Sequence, residues 1–371
     1  MINYIEYLLN IISDKKVILW GAGYVGVNTA HILKSLGKDV AYFVDSNETK
    51  WNEECFGKVV KSPFDLLYEE KSEIIVLIAA SSNNRDIIKN LNEMGMEKNI
   101  NFFSVTENRY DKFDYVDYFL GYSREKKFHI HGDKDSKLKL VVLGGSTTDY
   151  SQYGINSWAY YLAELIEEKK GIAPCIYNGG VSGYLSCQEM LKCIRDVIDL
   201  NPAIVISYSG VNDAFEGKKS NALVNDYLDK TWRNLCENKN VNLTCGEGME
   251  KEALDRWIFN MRIMHGVCQE FDIEFFSFLQ PMMLSGNYIL NEYDMFYLEE
   301  NLIKQKIQTA MEFYHKAEED IKEIDYVHNL SGIFDGLRNI YFDWCHCNEA
   351  GNKVIASEIY RIIEEKIGRL L

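Results

Sequence analysis

The chain has 371 residues, 47% of them hydrophobic, with only 4 prolines and a formal net charge of −16. That length fits two domains, each able to bury a core, and the composition excludes long disordered tracts. So acidic a chain offers no basic face for nucleic acid or an anionic membrane, and neither is expected as a partner.

The segment Met1 to Asp14 reads as an amphipathic helix and lacks the basic start and small-residue cleavage site of a secretory signal. No apolar run reaches the length of a membrane span. The 9 scattered cysteines are therefore expected as free thiols in a cytoplasmic protein.

An apolar strand, Lys16 to Trp20, runs into Gly21-Ala22-Gly23-Tyr24-Val25-Gly26 and then a helix to about Leu36. A second strand, Asp39 to Val44, ends at Asp45. A third, Ile74 to Ala80, leads to a helix through Met94. Such alternation predicts a parallel sheet covered by helices. Gly21, Gly23 and Gly26 between strand and helix, with Asp45 about twenty residues on, form the setting of a dinucleotide-binding fingerprint. The helix start would hold phosphate and Asp45 a ribose. The unit is short, with three clear strands. The competing reading is a tight turn in a structural or dimerising domain. Residues 1–107 are taken as this first domain. Residues 108–136, charged and aromatic without a clear period, read as a connector packed on one or both domains.

The second domain, 137–371, opens with a strand at Leu138 to Leu143. Helix 157–169 precedes strand 174–178, helix 187–200 precedes strand 203–208, and helix 251–270 precedes strand 273–279. A helix over 299–322 leads to a short strand at 325–329, and a last helix covers 349–369. The stretches 214–250 and 281–298 read as insertions over strand ends, where α/β proteins bind ligands.

Four blocks in this domain carry chemistry. Gly144-Gly145-Ser146 follows a strand, a turn that exposes a hydroxyl beside free backbone N–H groups. A phosphate-cradling turn is the alternative. Asn178-Gly179-Gly180-Val181-Ser182-Gly183 also follows a strand, and a glycine there can bring its N–H to a substrate oxygen. Ser209-Gly210-Val211-Asn212-Asp213 offers the Asn212 amide as a neutral donor to a developing oxyanion. In Asp343-Trp344-Cys345-His346 the acid and the imidazole are three apart in one turn. Asp343 can hold Nδ1–H and leave Nε2 to take the Ser146 proton. Cys345-His346-Cys347 lacks a second ligand pair at zinc spacing, so no metal is expected.

In order, spacing and placement at strand ends, these blocks resemble the SGNH/GDSL hydrolase family over about residues 137–371. The resemblance implies a flavodoxin-like three-layer α/β sandwich, giving two α/β domains in all. It matches the family's serine, glycine, asparagine and histidine to Ser146, Gly183, Asn212 and His346, and its acid to Asp343. The triad would be Ser146, His346 and Asp343, and the oxyanion hole the Ser146 N–H, the Gly183 N–H and the Asn212 amide. One departure stands out: the family's Gly-Asp-Ser is Gly144-Gly145-Ser146 here. The segment Phe276 to Pro281 resembles bacterial members from polysaccharide gene clusters. The first domain resembles the small Rossmann-like domains of sugar-modifying enzymes, including sialic-acid and bacillosamine acyltransferases, where the domain helps bind a nucleotide sugar.

The expectation is a serine esterase that removes an acyl group, acetyl, from a carbohydrate or sugar precursor. An acyltransferase using the same serine and a non-catalytic glycan-pathway binding protein are the alternatives. Catalysis needs no cofactor. A nucleotide or nucleotide sugar is a candidate ligand of the first domain, and redox use of NAD is disfavoured because the second domain has no hydride-acceptor site. Oligomeric state is not readable from the sequence.

Overall fold

The computed structural model describes residues 12, 14–35, 37–80, 84–105, 115–117, 120–123, 128–150, 155–216, 252–299 and 301–371. Most of the helix read at the N-terminus and most of the insertion read over 214–250 lie outside the described residues. The chain forms two compact units. One comprises Met1–Lys112 and Leu290–Glu300, the other Phe113–Ile289 and Asn301–Leu371.

The first unit contains β1 (Lys16–Trp20), α1 (Tyr24–Ser35), β2 (Val40–Val44), β3 (Glu54–Cys55), β4 (Lys58–Lys61), β5 (Ile74–Ile78), α2 (Asn84–Glu93) and β6 (Phe102–Ser104). Its sheet has the order β3-β4-β2-β1-β5-β6 and is parallel except for the β3–β4 pair. Every residue of β5 is buried, as a parallel strand covered on both faces requires. Ile18, Trp20, Val76, Ile78 and Leu91 form the centre of the core. The sheet is wider than the three strands expected, because β3, β4 and β6 are too short to show a period. Residues 290–300, most of them read from sequence as part of the insertion 281–298, belong to this unit. There Tyr293 stacks on His31 of α1 with ring centroids 3.7 Å apart, and its hydroxyl donates to Asn28.

The second unit begins with a two-stranded antiparallel ribbon, β7 (Tyr115–Asp117) and β8 (Gly121–Ser123). Then come β9 (His129–Gly132), β10 (Lys139–Gly144), α3 (Trp158–Lys170), β11 (Cys175–Asn178), α4 (Ser186–Lys192), β12 (Ile204–Ser209), α5 (Val211–Glu216), α6 (Ala253–Glu270), β13 (Glu274–Leu279), α7 (Asn301–Asp320), β14 (Val327–Asn329) and α8 (Glu349–Leu370). The sheet runs β14-β13-β12-β10-β11-β9, parallel except for β9. Part of the expected connector is thus an edge strand. His129-Ile130-His131-Gly132 carries no apolar signal, but His131 is buried and His129 stacks on Tyr150.

From β10 onward the five parallel strands follow the flavodoxin-like order 2-1-3-4-5. The connections reverse direction between β10 and β12, and a crevice opens there beyond the carboxyl ends of the strands. Helix α3 packs against α8, and α4 against α6. Among the described residues, no helix is long and apolar enough to cross a membrane.

Candidate active site

Ser146 stands two residues past β10, at the crevice. The turn is tight: the N–H groups of Thr148 and Asp149 both donate to Gly145 O at 3.1 Å. A Cβ on Gly144 would lie 2.6 Å from Tyr208 O, and one on Gly145 would lie 2.5 Å from Nδ2 of Asn212. At 144 the obstructing atom is backbone and glycine is required, whereas at 145 it is the end of the Asn212 side chain, which must shift to admit a Cβ.

Asp343 and His346 come from the loop before α8. Asp343 Oδ1 accepts the backbone N–H of Cys345 at 3.0 Å and of His346 at 2.8 Å, which folds 343–346 into one turn. Phe342 N donates to His346 O, and Tyr341 bridges Cys347, closing the loop at its base. Asn348 then caps α8 by accepting the Gly351 N–H at 3.0 Å. Within this frame His346 Nδ1 lies 2.8 Å from Asp343 Oδ2, and Nε2 lies 2.7 Å from Ser146 Oγ. Asp343 is 1% exposed, so its charge acts on the ring with little screening by water. Cys345 Sγ is 3.5 Å from His346 Nδ1, and with Asp343 these donors all lie within 4.8 Å of one another. None of the seven described cysteines is in a disulfide.

Asn212 opens α5 after β12, on the opposite side of the crevice. Its Nδ2 donates to Tyr184 O at 2.8 Å. Gly183, the residue before Tyr184, takes a left-handed φ of 81°, which glycine adopts without strain. Ser146, His346, Asn212 and Gly183 therefore come from four strand-end segments. Ser146 and His346 are in direct contact, and Asn212 is tied to the turn that carries Gly183.

The glycine loop of the first unit divides into two kinds of position. Gly21 has φ 122°, and a Cβ there would lie 2.6 Å from Ala79 O, while one on Gly26 would collide with Gly21 O. Both are required by packing of the turn itself. A Cβ on Gly23 would meet open space, with Lys50 Nζ the nearest group at 3.9 Å. Asp45 is bound to the loop: Oδ2 accepts the Ala22 N–H at 2.7 Å and Oδ1 that of Asn47 at 2.9 Å. Lys50 Nζ reaches Ala22 O at 3.1 Å and Asp45 Oδ2 at 3.5 Å.

Sequence reading missed two groups beside Ser146, Asp343 and His346. Trp344, next to His346, packs against Phe215 of α5 with ring centroids 3.9 Å apart, and both rings are half-buried. Behind Asn212, Asp213 and Ser186 form a buried pair. The adjacency of Asp213 to Asn212 was visible in the sequence, but its partner was not.

Among solved structures, the chain is similar to an acetylxylan esterase from Geobacillus stearothermophilus, with 15% identity and a TM-score of 0.37, covering 62% of this chain and 94% of that one. It is also similar to a GDSL-like lipase from Bacteroides thetaiotaomicron VPI-5482, with 16% identity and a TM-score of 0.35, covering 62% and 89%. No curated protein matches the chain. The model of the GDSL-like lipase/acylhydrolase family matches residues 140–359. That match spans more than half of the chain and runs from the strand before Ser146 into the helix after His346, so the protein belongs to the GDSL-like lipase/acylhydrolase family and is a carboxylic ester hydrolase.

Proposed function

We propose that the second unit is a serine esterase that removes an acetyl group from a carbohydrate or sugar precursor. One observation carries the reading: a continuous relay from Asp343 Oδ2 through His346 to Ser146 Oγ, with contacts of 2.8 and 2.7 Å. Ser146 Oγ attacks the ester carbonyl carbon while His346 Nε2 takes its proton. The buried Asp343 carboxylate stabilises the imidazolium that forms. The tetrahedral oxyanion accepts hydrogen bonds from the Ser146 N–H, the Gly183 N–H and the Asn212 amide. One Asn212 amide proton is committed to Tyr184 O, and the other serves the oxyanion. The bond to the leaving alcohol then breaks as His346 returns the proton to its oxygen. Water attacks the acyl-enzyme, His346 passes its proton to Ser146 Oγ, and the carboxylic acid leaves.

Two features support the substrate. A cavity of about 20 Å³ beside Ser146 and His346, lined in part by Thr147, Cys345 and Ile355, is on the scale of one small group, which suits a short acyl chain. The half-buried Trp344–Phe215 pair beside the histidine offers an aromatic surface for the C–H face of a sugar ring. The first unit, read as a Rossmann-like domain, would bind the nucleotide part of a nucleotide sugar at Gly23.

The test is a panel of acetylated monosaccharides and nucleotide sugars beside p-nitrophenyl esters of two to eight carbons. Acetate release, with activity falling steeply beyond the acetyl ester, is the expected result. A preference for octanoyl esters overturns the acetyl reading. Acetyl transfer to an added sugar, in place of release to water, would make the enzyme a transferase.

A further inference from the structure

Asn212 and Asp213 are consecutive, yet both reach back to the same turn. Asn212 Nδ2 donates to Tyr184 O at 2.8 Å. Asp213 Oδ1 accepts the Ser186 hydroxyl at 2.6 Å, and Oδ2 accepts the Ser186 backbone N–H at 3.1 Å. A third element holds the knot from behind, since Asn260 of α6 donates to Ser186 Oγ at 2.8 Å. The Ser186 hydroxyl thus accepts from Asn260 and donates to Asp213. All three side chains are buried.

This arrangement has a cost. Taking the Asp213 carboxyl out of water pushes it up to about 6, even though both Ser186 donors and the nearby Arg256 pull the other way. A buried carboxylate is a poor choice for stability alone, because an apolar pair of similar size avoids the desolvation. Its placement is informative. Gly183 and Asn212, the proposed oxyanion donors, sit on separate segments, and the Asp213–Ser186 bonds cross between them.

We infer that Asp213 is a positioning residue that sets the spacing between the Gly183 and Asn212 donors of the oxyanion hole. The inference rests on the oxyanion reading above. Asp213 itself touches Ser186 and acts through it. Donors in such a site work only near their productive geometry, and a shift of about 1 Å costs on the order of a hundredfold in rate.

The experiment is a double-mutant cycle on the full chain, following hydrolysis of p-nitrophenyl acetate. Asp213→Asn is expected to lower kcat about ten- to a hundredfold with KM little changed. In an Asn212→Ala background the same substitution should lose most of its effect, because the pair whose spacing it sets is already broken. A purely structural role gives equal factors in both backgrounds, or a rise in KM with kcat held, and either result overturns the inference. Should Asp213→Asn fail to fold, Ser186→Ala removes one hydroxyl from the tether and enters the same cycle, with a fall of about three- to tenfold expected and Ser186→Thr expected to rescue. If Asn212→Ala alone leaves kcat intact, the oxyanion assignment is wrong and the inference falls with it. Asn212→Ala by itself separates that failure from the failure of Asp213.

Discussion

A Cβ on Gly145 would stand 2.5 Å from Nδ2 of Asn212, so the glycine before the nucleophile and the proposed oxyanion donor share one space. The contact joins the turn after β10 to the first residues of α5. Moving the amide aside would break its bond to Tyr184 O. Gly145→Ala should therefore displace Asn212 and lower kcat by about tenfold or more, short of the hundred- to thousandfold typical of losing an oxyanion donor. KM should change little. Full activity in Gly145→Ala would mean the amide can retreat without loss.

Ser146 is expected to be the single acylated residue. It is 2.7 Å from the ring nitrogen that would take its proton. An activated organophosphonate should label the protein once, with Ser146 recovered in the modified peptide by mass spectrometry. Ser146→Ala should abolish labelling and lower turnover of p-nitrophenyl acetate by several orders of magnitude. Turnover that survives this substitution removes the whole catalytic reading.

A second buried acid gives a stability prediction independent of catalysis. Glu189 on α4 is fully buried, with Oε2 2.6 Å from Ser207 Oγ, and burial pushes its carboxyl from 4.5 up to about 8. The folded protein then holds more protons than the unfolded chain between those two values. Stability accordingly falls as pH rises through the window and levels off above about 8. Asp213 adds the same sign at lower pH, up to about 6. The loss from Glu189 is at most about 1.4 kcal/mol per pH unit. Glu189→Gln is neutral throughout, so its thermal midpoint should gain on the wild type as pH goes from about 5 to 8.5. A constant gap between the two midpoints across that range rejects the buried, protonated acid.

Strands β1, β5, β10, β12 and β13 were legible because each is an apolar run ended by turn residues, the pattern of a strand buried on both faces. The edge strand β9 was not, because its burial comes from histidines packing on Tyr150 and Asn178. Asp343 and His346 could be read together because they lie three apart in one turn. The Asp213–Ser186 bond could not, since its partners are 27 positions apart and meet only when β11 and β12 flank β10. Trp344 and Phe215 were hidden for the same reason. Chemistry confined to one turn shows in a sequence, whereas support supplied across the crevice appears only with the fold.

The glycine loop of the first unit yields the last prediction, and the three glycines are not equivalent probes. Replacing Gly21 or Gly26 would push a Cβ into backbone and damage the turn whatever the loop binds. Asp45 is equally unsuitable, because its carboxylate takes the Ala22 N–H. Gly23 differs: a side chain there meets open space, with Lys50 Nζ the nearest atom at 3.9 Å. Gly23→Val should leave the fold and its thermal midpoint within about a degree or two of wild type, as surface changes usually do. A phosphate drawn to the start of α1 and to Lys50 would need that same open space. Calorimetry on the full chain against UDP-, GDP- and CMP-sugars, ADP and NAD should find a ligand bound by the wild type and lost, with the fold retained, in Gly23→Val. If nothing in the panel binds at millimolar concentration, the loop is a packing device, and the nucleotide-sugar argument for the substrate goes with it. Binding that survives Gly23→Val would place the ligand elsewhere in the protein.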